Sequence, residues 1–124
     1  MASTECIFCR IVAREVPAQV VHEDEHTLAF RDINPQAPTH VLVIPKRHVR
    51  AVDALADDDA ELIGRVVLAA RLVARQEGIA RGGYRLVMNN GPAAGQTVDH
   101  VHLHVLGGRQ MDWPPGGAVR RGDG

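Results

Sequence analysis

Residues 99–106 read DHVHLHVL. Histidine recurs at 100, 102 and 104, and Val101, Leu103 and Val105 fill the places between or after them. That alternation has the period of an extended strand, whose successive side chains point to opposite faces. The spacing predicts a strand over about Asp99–Leu106, with the three imidazoles in a row and about 6.6–6.8 Å between neighbouring Cα atoms. Val101, Leu103 and Val105 would bury on the far side. One face is then core, and the other is chemistry or solvent.

The best partner for the buried face is the segment 57–77. Apolar residues at Leu62, Ile63, Val66, Val67, Ala70, Val73 and Ala74 recur at helical spacing. Asp57 suits an N-cap, Asp58, Asp59 and Glu61 suit the positive end of the dipole, and Gly78 suits a C-terminal stop. Residues 6–13 could form a short helix. Gln19–Glu23 and Thr27–Asp32 suggest a hairpin around polar Glu23–Glu25. THVLVIPK (39–46) is a strand closed by Pro45, and Tyr84–Asn89 is another. Pro35 and Pro38 mark a loop between. This order of elements predicts an α+β domain with a largely antiparallel sheet and one long helix packed on a face.

A chain of 124 residues suggests one domain, and 45% hydrophobic content allows a true core. With aromatics at 3%, that core must be aliphatic. A formal net charge of -1 gives no basic groove for nucleic acid and no patch for an anionic membrane. No apolar run approaches a membrane span. Glu5, Arg10, Arg14 and Glu15 interrupt the first residues, so no signal peptide is expected and the chain reads as cytoplasmic. Cys6 and Cys9 are then expected reduced. Their C-x-x-C spacing suits a metal or a redox pair better than a structural disulfide.

Three uses remain for the histidine row: metal ligation, nucleophilic attack by an imidazole, or a wet sheet face. The upstream stretch NNGPAAGQT (89–97) favours phosphate chemistry. Gly91 and Gly95 permit close approach of backbone N–H groups to an anion, and Gln96 and Thr97 add donors. A donor-rich loop therefore runs into a strand that carries imidazoles. Asp32, before Asn34 and Pro35, is either a turn cap or a carboxylate for two adjacent hydroxyls.

HVHLHV also matches the H-φ-H-φ-H-φ signature of the histidine triad superfamily. CIFCRIVAREVPA, HTLAFRDINPQAPTHVLVIPKRH, GYRLVMNNG and GQTVDHVHLHVLGGRQMDWPPG resemble its Hint branch, the histidine triad nucleotide-binding proteins, over roughly residues 5–116. The motif GGRQMDWPPG resembles Hint rather than the Fhit branch. The resemblance implies one histidine triad domain over 1–116, a loose tail at 117–124, and a two-fold homodimer. The implied activity is that of a purine nucleoside phosphoramidase, cleaving P–N bonds of AMP or GMP conjugates without a catalytic metal.

Carried over by motif, His102 is the nucleophile and forms a nucleotidyl-histidine. His104 serves the phosphate or leaving-group side, and the carbonyl of His100 orients His102. His40 buttresses the triad. Asn89, Gly95, Gln96 and Thr97 approach the α-phosphate. Asp32 takes the ribose, with Ile33 and Phe8 near the base. Trp113 is placed at the dimer interface near the partner's pocket, the rival being packing on its own subunit. Where many Hint proteins have Ser, this chain has Thr97, whose methyl narrows the leaving-group space while its hydroxyl stays.

Some bacterial relatives bind zinc through residues that correspond here to Cys6, Cys9, His48 and His100, so a structural zinc is implied. Inert thiols are the alternative, and a redox role is disfavoured because no thioredoxin-like βαβ pattern surrounds the pair. Other readings of the chain are a dinucleoside-polyphosphate hydrolase, a nucleotidyl transferase, a catalytic-metal triad, or a nucleotide-binding adaptor with incidental turnover. His22, His26, the Lys46–Arg47–Arg50 cluster and the RGD at 121–123 read as surface features.

Overall fold

The computed structural model describes residues 5–116. The tail expected to be loose at 117–124, with its RGD, lies outside them. A five-stranded antiparallel sheet is built from β1 (Val20–Glu23), β2 (Thr27–Arg31), β3 (Thr39–Pro45), β4 (Tyr84–Val87) and β5 (Leu103–Gly107), in the order β1-β2-β3-β5-β4. The hairpin joining β1 to β2 is made by Asp24. Its Oδ1 accepts the amides of His26 at 2.9 Å and Thr27 at 2.8 Å, and its Oδ2 accepts the Thr27 hydroxyl at 2.8 Å. Burial pushes this carboxyl up, but those donors outweigh burial and hold it at about 2.

One turn of 3-10 helix at Asp57–Asp59 leads into α2 (Ala60–Gln76). The regular helix therefore starts three residues later than Asp57 suggested. Asp59 turns its Oδ2 back to the amide of Ala56 at 2.9 Å, which closes the entering turn. Gly78, at φ 75°, ends the helix in the left-handed conformation, and the amide of Ile79 returns to the carbonyl of Ala74 at 3.0 Å. Val66, Ala69, Ala70, Val73 and Ala74 bury against Ala29, Val41, Val43, Leu103 and Val105. Three alanines let the helix lie close to the sheet, and each buried valine contributes about 1.5–3 kcal/mol. Val67, expected on the buried face, is 41% exposed, while Ala69 takes a place inside.

The other face of the sheet is not open. A short helix α1 (Ile7–Val12) lays Phe8 over Leu28, Phe30, Leu42 and Ile44, with Phe8 and Phe30 edge to face at 5.4 Å. The division into one core face and one wet face is thus corrected: α1 gives the sheet a second, smaller core. The final strand is corrected too. It begins at Leu103, not Asp99. The amide of His100 turns back to the carbonyl of Val98 at 2.9 Å, and that of Val101 goes to the carbonyl of Val49 at 2.8 Å, so this stretch is held outside the ladder. Among the described residues, no helix is long and apolar enough to cross a membrane.

Candidate functional site

The bend before β5 separates the three histidines. His100 and His102 are buried at 0% and 5% exposure, while His104 is half-buried. His104 sits in the ladder opposite Leu42 and Val87. The rings of His102 and His104 meet edge to face at 5.0 Å, and both line a cleft of about 390 Å³. The cleft's apolar wall comes from α1 (Ile7, Phe8 and Ile11) and from Phe30. Asp32, Ile33 and Thr97 form its polar and outer margins.

Hydrogen bonds fix the tautomers. The ring of His102 places Nδ1 2.7 Å from the backbone carbonyl of His100. A carbonyl only accepts, so Nδ1 carries the proton, and in the neutral ring Nε2 is the bare lone pair. His40 runs the opposite way. The amide of Gln36 donates to its Nδ1 at 3.0 Å, so its proton sits on Nε2 and is donated to Nδ1 of His104 at 2.9 Å. Nε2 of His104 then carries the proton. A bare nitrogen on His102 and a donor on His104 stand side by side.

Burial, with His102 and His40 nearby, lowers His104 to about 4, so it is neutral at pH 7. Burial also lowers His40, opposed by Asp32, whose Oδ2 lies 3.4 Å from its Nε2. Asp32 Oδ1 meanwhile accepts the amide of Asn34 at 2.8 Å. Asp32 thus caps the local turn and lines the cleft at once.

Gln96 does not offer a free side chain. Its Oε1 accepts the amide of Gly91 at 2.8 Å, and its Nε2 donates to the carbonyls of Arg50 at 2.9 Å and Val98 at 3.0 Å. Its side chain is spent on holding the loop. Gly95 follows the turn Pro92–Ala94 at φ 87°, a conformation that favours glycine. Asn89, two residues beyond β4, and Gly95 are not among the residues lining the cleft. Trp113 is 82% exposed, so it is not packed on its own subunit.

Behind His102 lies a second constellation. Nδ1 of His100 is 3.4 Å from Sγ of Cys6, 3.6 Å from Sγ of Cys9 and 3.2 Å from Nδ1 of His48, which is itself 3.2 Å from Sγ of Cys9. The four ligand atoms all lie within 4.8 Å of one another. Zinc bonds of about 2.0–2.1 Å to nitrogen and about 2.3 Å to sulfur imply tetrahedral edges of about 3.3–3.8 Å. The four distances given, 3.2–3.6 Å, lie close to that range. Nε2 of His100 donates to the carbonyl of Pro45 at 2.8 Å, which turns the bare Nδ1 toward the cluster, as a metal-binding imidazole requires. Neither cysteine is disulfide-bonded. The set is able to hold a structural zinc. Asp32, His40 and His104 also lie close together. There, however, Nε2 of His40 is already protonated by the demand of Gln36 on Nδ1, which suits a proton chain rather than a metal.

The sequence reading missed the carbonyl of Pro45 and the amide of Gln36, since backbone groups are the same in every residue and carry no signal. Ile7 and Ile11 were within reach: four residues apart, they share the helix face that Phe8 borders.

Comparison with known proteins gives a match to the HIT domain over residues 13–111. A 14 kDa zinc-binding protein of Zea mays is 51% identical over 112 residues, covering 89% of this chain and 87% of that one. The crystal structure of a HIT family hydrolase from Legionella pneumophila is 53% identical, with a TM-score of 0.88 over 90% of this chain and 99% of that one. A histidine triad nucleotide-binding protein from Candida albicans is 32% identical, with a TM-score of 0.76 over 89% and 83% of the two chains.

Proposed function

The chain belongs to the HIT domain family, and from that premise we propose that it is a purine nucleoside phosphoramidase of the Hint branch, a hydrolase of AMP or GMP conjugates. The observation that carries the reading is the pair of fixed tautomers: a bare Nε2 on His102 next to a donating Nε2 on His104. The base lies in the apolar part of the cleft near Phe8 and Ile33. The ribose hydroxyls bond Asp32. The α-phosphate meets Thr97 at the cleft margin, and Asn89 and Gly95, which lie outside the cleft lining, are assigned to it by the family motif alone.

Nε2 of His102 attacks phosphorus and the P–N bond breaks. A bound phosphate places negative charge beside His104, which favours its charged form. The Asp32–His40–His104 group thus takes up one proton as substrate binds, and Nε2 of His104 passes its proton to the departing amine while Nδ1 accepts the one held by His40. Water then attacks the nucleotidyl-histidine, gives a proton to His104, and frees His102. Two easier displacements replace a hard one, and fixed donors stabilise the phosphoryl oxygens without a catalytic metal. Cys6, Cys9, His48 and His100 would hold a structural zinc, which would neutralise thiolates and join α1 to the approach of β5.

The relative named for zinc binding and the solved neighbours named as a hydrolase and as nucleotide-binding support this reading. A cytoplasmic location, where Cys6 and Cys9 would stay reduced and able to hold a metal, is part of this reading. A two-fold homodimer, with Trp113, exposed on the single chain, at its interface, is part of this reading. Light scattering should give twice the chain mass; monomer mass alone would remove the dimer from the scheme.

The decisive experiment traps the intermediate. An alkaline denaturing quench during turnover of an AMP–amine conjugate, which spares the acid-labile P–N bond, should leave one AMP on the peptide that contains His102, with amine released before AMP. If AMP binds but no amine is released, the chain is a nucleotide-binding module.

A further inference from the structure

His100 is engaged at three points. Its Nδ1 faces the cysteine–histidine cluster, its Nε2 holds the carbonyl of Pro45, and its own carbonyl receives the ring of His102. We propose that Cys6, Cys9 and His48 are positioning residues for the nucleophile: held together as one cluster, they fix the backbone of His100 and through it the ring of His102. This rests on the reading of His102 as the nucleophile.

The backbone makes the case. β5 begins at Leu103, so the strand ladder does not fix the carbonyl of His100. The local anchors are the His100 amide on Val98 and the Val101 amide on Val49, and Val49 adjoins His48. The cluster therefore ties together residues 48–49 and 100–101 at the point where the ladder is missing. A second connection runs through α1. Phe8 lies between the two cysteines and sets its ring against His100 at 5.8 Å and His102 at 5.2 Å, edge to face in both cases. Releasing the cysteines would loosen Phe8 as well as His100.

Loss of either support lets the His102 ring turn, and its Nε2 then no longer points where the phosphate lies. Such misplacement costs rate more than affinity, because the nucleoside is held elsewhere, by the cleft wall and Asp32. A cluster that only stabilises the fold would leave the rate per folded molecule unchanged.

The test uses His48, which touches neither His102 nor the cleft. Zinc-loaded wild type, wild type stripped by chelator, His48→Ala and His48→Cys are compared below their melting temperatures. The readouts are kcat, KM, AMP affinity and the ring nitrogen-15 signals of His102. His48→Ala and stripped wild type should lose about 10- to 100-fold in kcat. Their AMP affinity should stay within about threefold, and the single protonated-Nδ1 signature of His102 should become a mixture of tautomers. Zinc should restore stripped wild type. His48→Cys, which can supply a third thiolate, should keep both the rate and the signature. The proposal is overturned if His48→Ala melts earlier yet keeps the wild-type kcat and nitrogen signals, or if AMP affinity falls in step with kcat. If loaded wild type shows no turnover at all, the hydrolase reading fails, and the nitrogen signals alone decide the positioning.

Discussion

His100 and His102 are two residues apart and both buried, yet they face opposite tasks. His100 gives its Nε2 proton to a carbonyl, which leaves Nδ1 bare and aimed at two sulfurs and another imidazole. His102 gives its Nδ1 proton to a carbonyl, which leaves Nε2 bare in a cleft. The side chain is the same; the backbone oxygen each meets decides which nitrogen remains available. A metal cluster and a nucleophile can thus sit on one short stretch without competing for the same atoms.

The strongest way to break the comparison is to remove the cleft-facing ring. His102→Ala should lower AMP release from an adenosine 5′-phosphoramidate by about 10⁴-fold or more, with AMP still bound in calorimetry. Retained turnover would mean that the bare Nε2 is not the nucleophile. On the cluster side, chelation should act on stability. A metal present at about 1,000 times its Kd stabilises by about 4 kcal/mol, so stripping should lower Tm by about 10–20 °C. An unchanged melting curve would leave the four ligands as an inert thiol and imidazole group.

A smaller effect should come from acid. Burial holds His104 at about 4 in the folded chain, against an ordinary value of 6.5. As pH falls, the unfolded chain takes up this proton first, so stability is lost from about 6.5 down to about 4 and levels off below. His40 acts in the same direction. Urea titrations of wild type and His104→Gln should diverge across that window, with the variant showing the shallower loss. Parallel curves would mean that burial does not lower His104 in the folded chain. A control outside both constellations sets the floor. Arg65 pairs with Glu61 at 2.8 Å on the exposed side of α2, and Arg65→Ala should cost no more than about 0.5 kcal/mol.

Much of this was legible in the sequence because it depends on periodicity or residue type. The alternation around His102, the helical spacing from Val66 to Ala74, and the Gly78 stop are local patterns, and the helix and antiparallel sheet followed from them. Cys6, Cys9, His48 and His100 were marked as a set by resemblance, and the fold brings them together. The pattern misled at Asp99–His102, where alternation promised a ladder and the chain instead bends to reach Val98 and Val49. It also promised a free donor on Gln96, whose amide holds its own loop. Both errors have one cause: long-range backbone partners outweigh local propensity, and nothing in the residue names records them.

The sequence alone therefore determined the family, the element types and the chemistry available, since these rest on side-chain identity and on periods of 2 and 3.6 residues. Only the tertiary structure decided which nitrogen of each histidine is free. That depends on single acceptors and donors brought from distant segments: the carbonyl of Pro45 for His100 and the amide of Gln36 for His40. A proton on an imidazole goes to whichever nitrogen meets an acceptor, and folding chooses the acceptor.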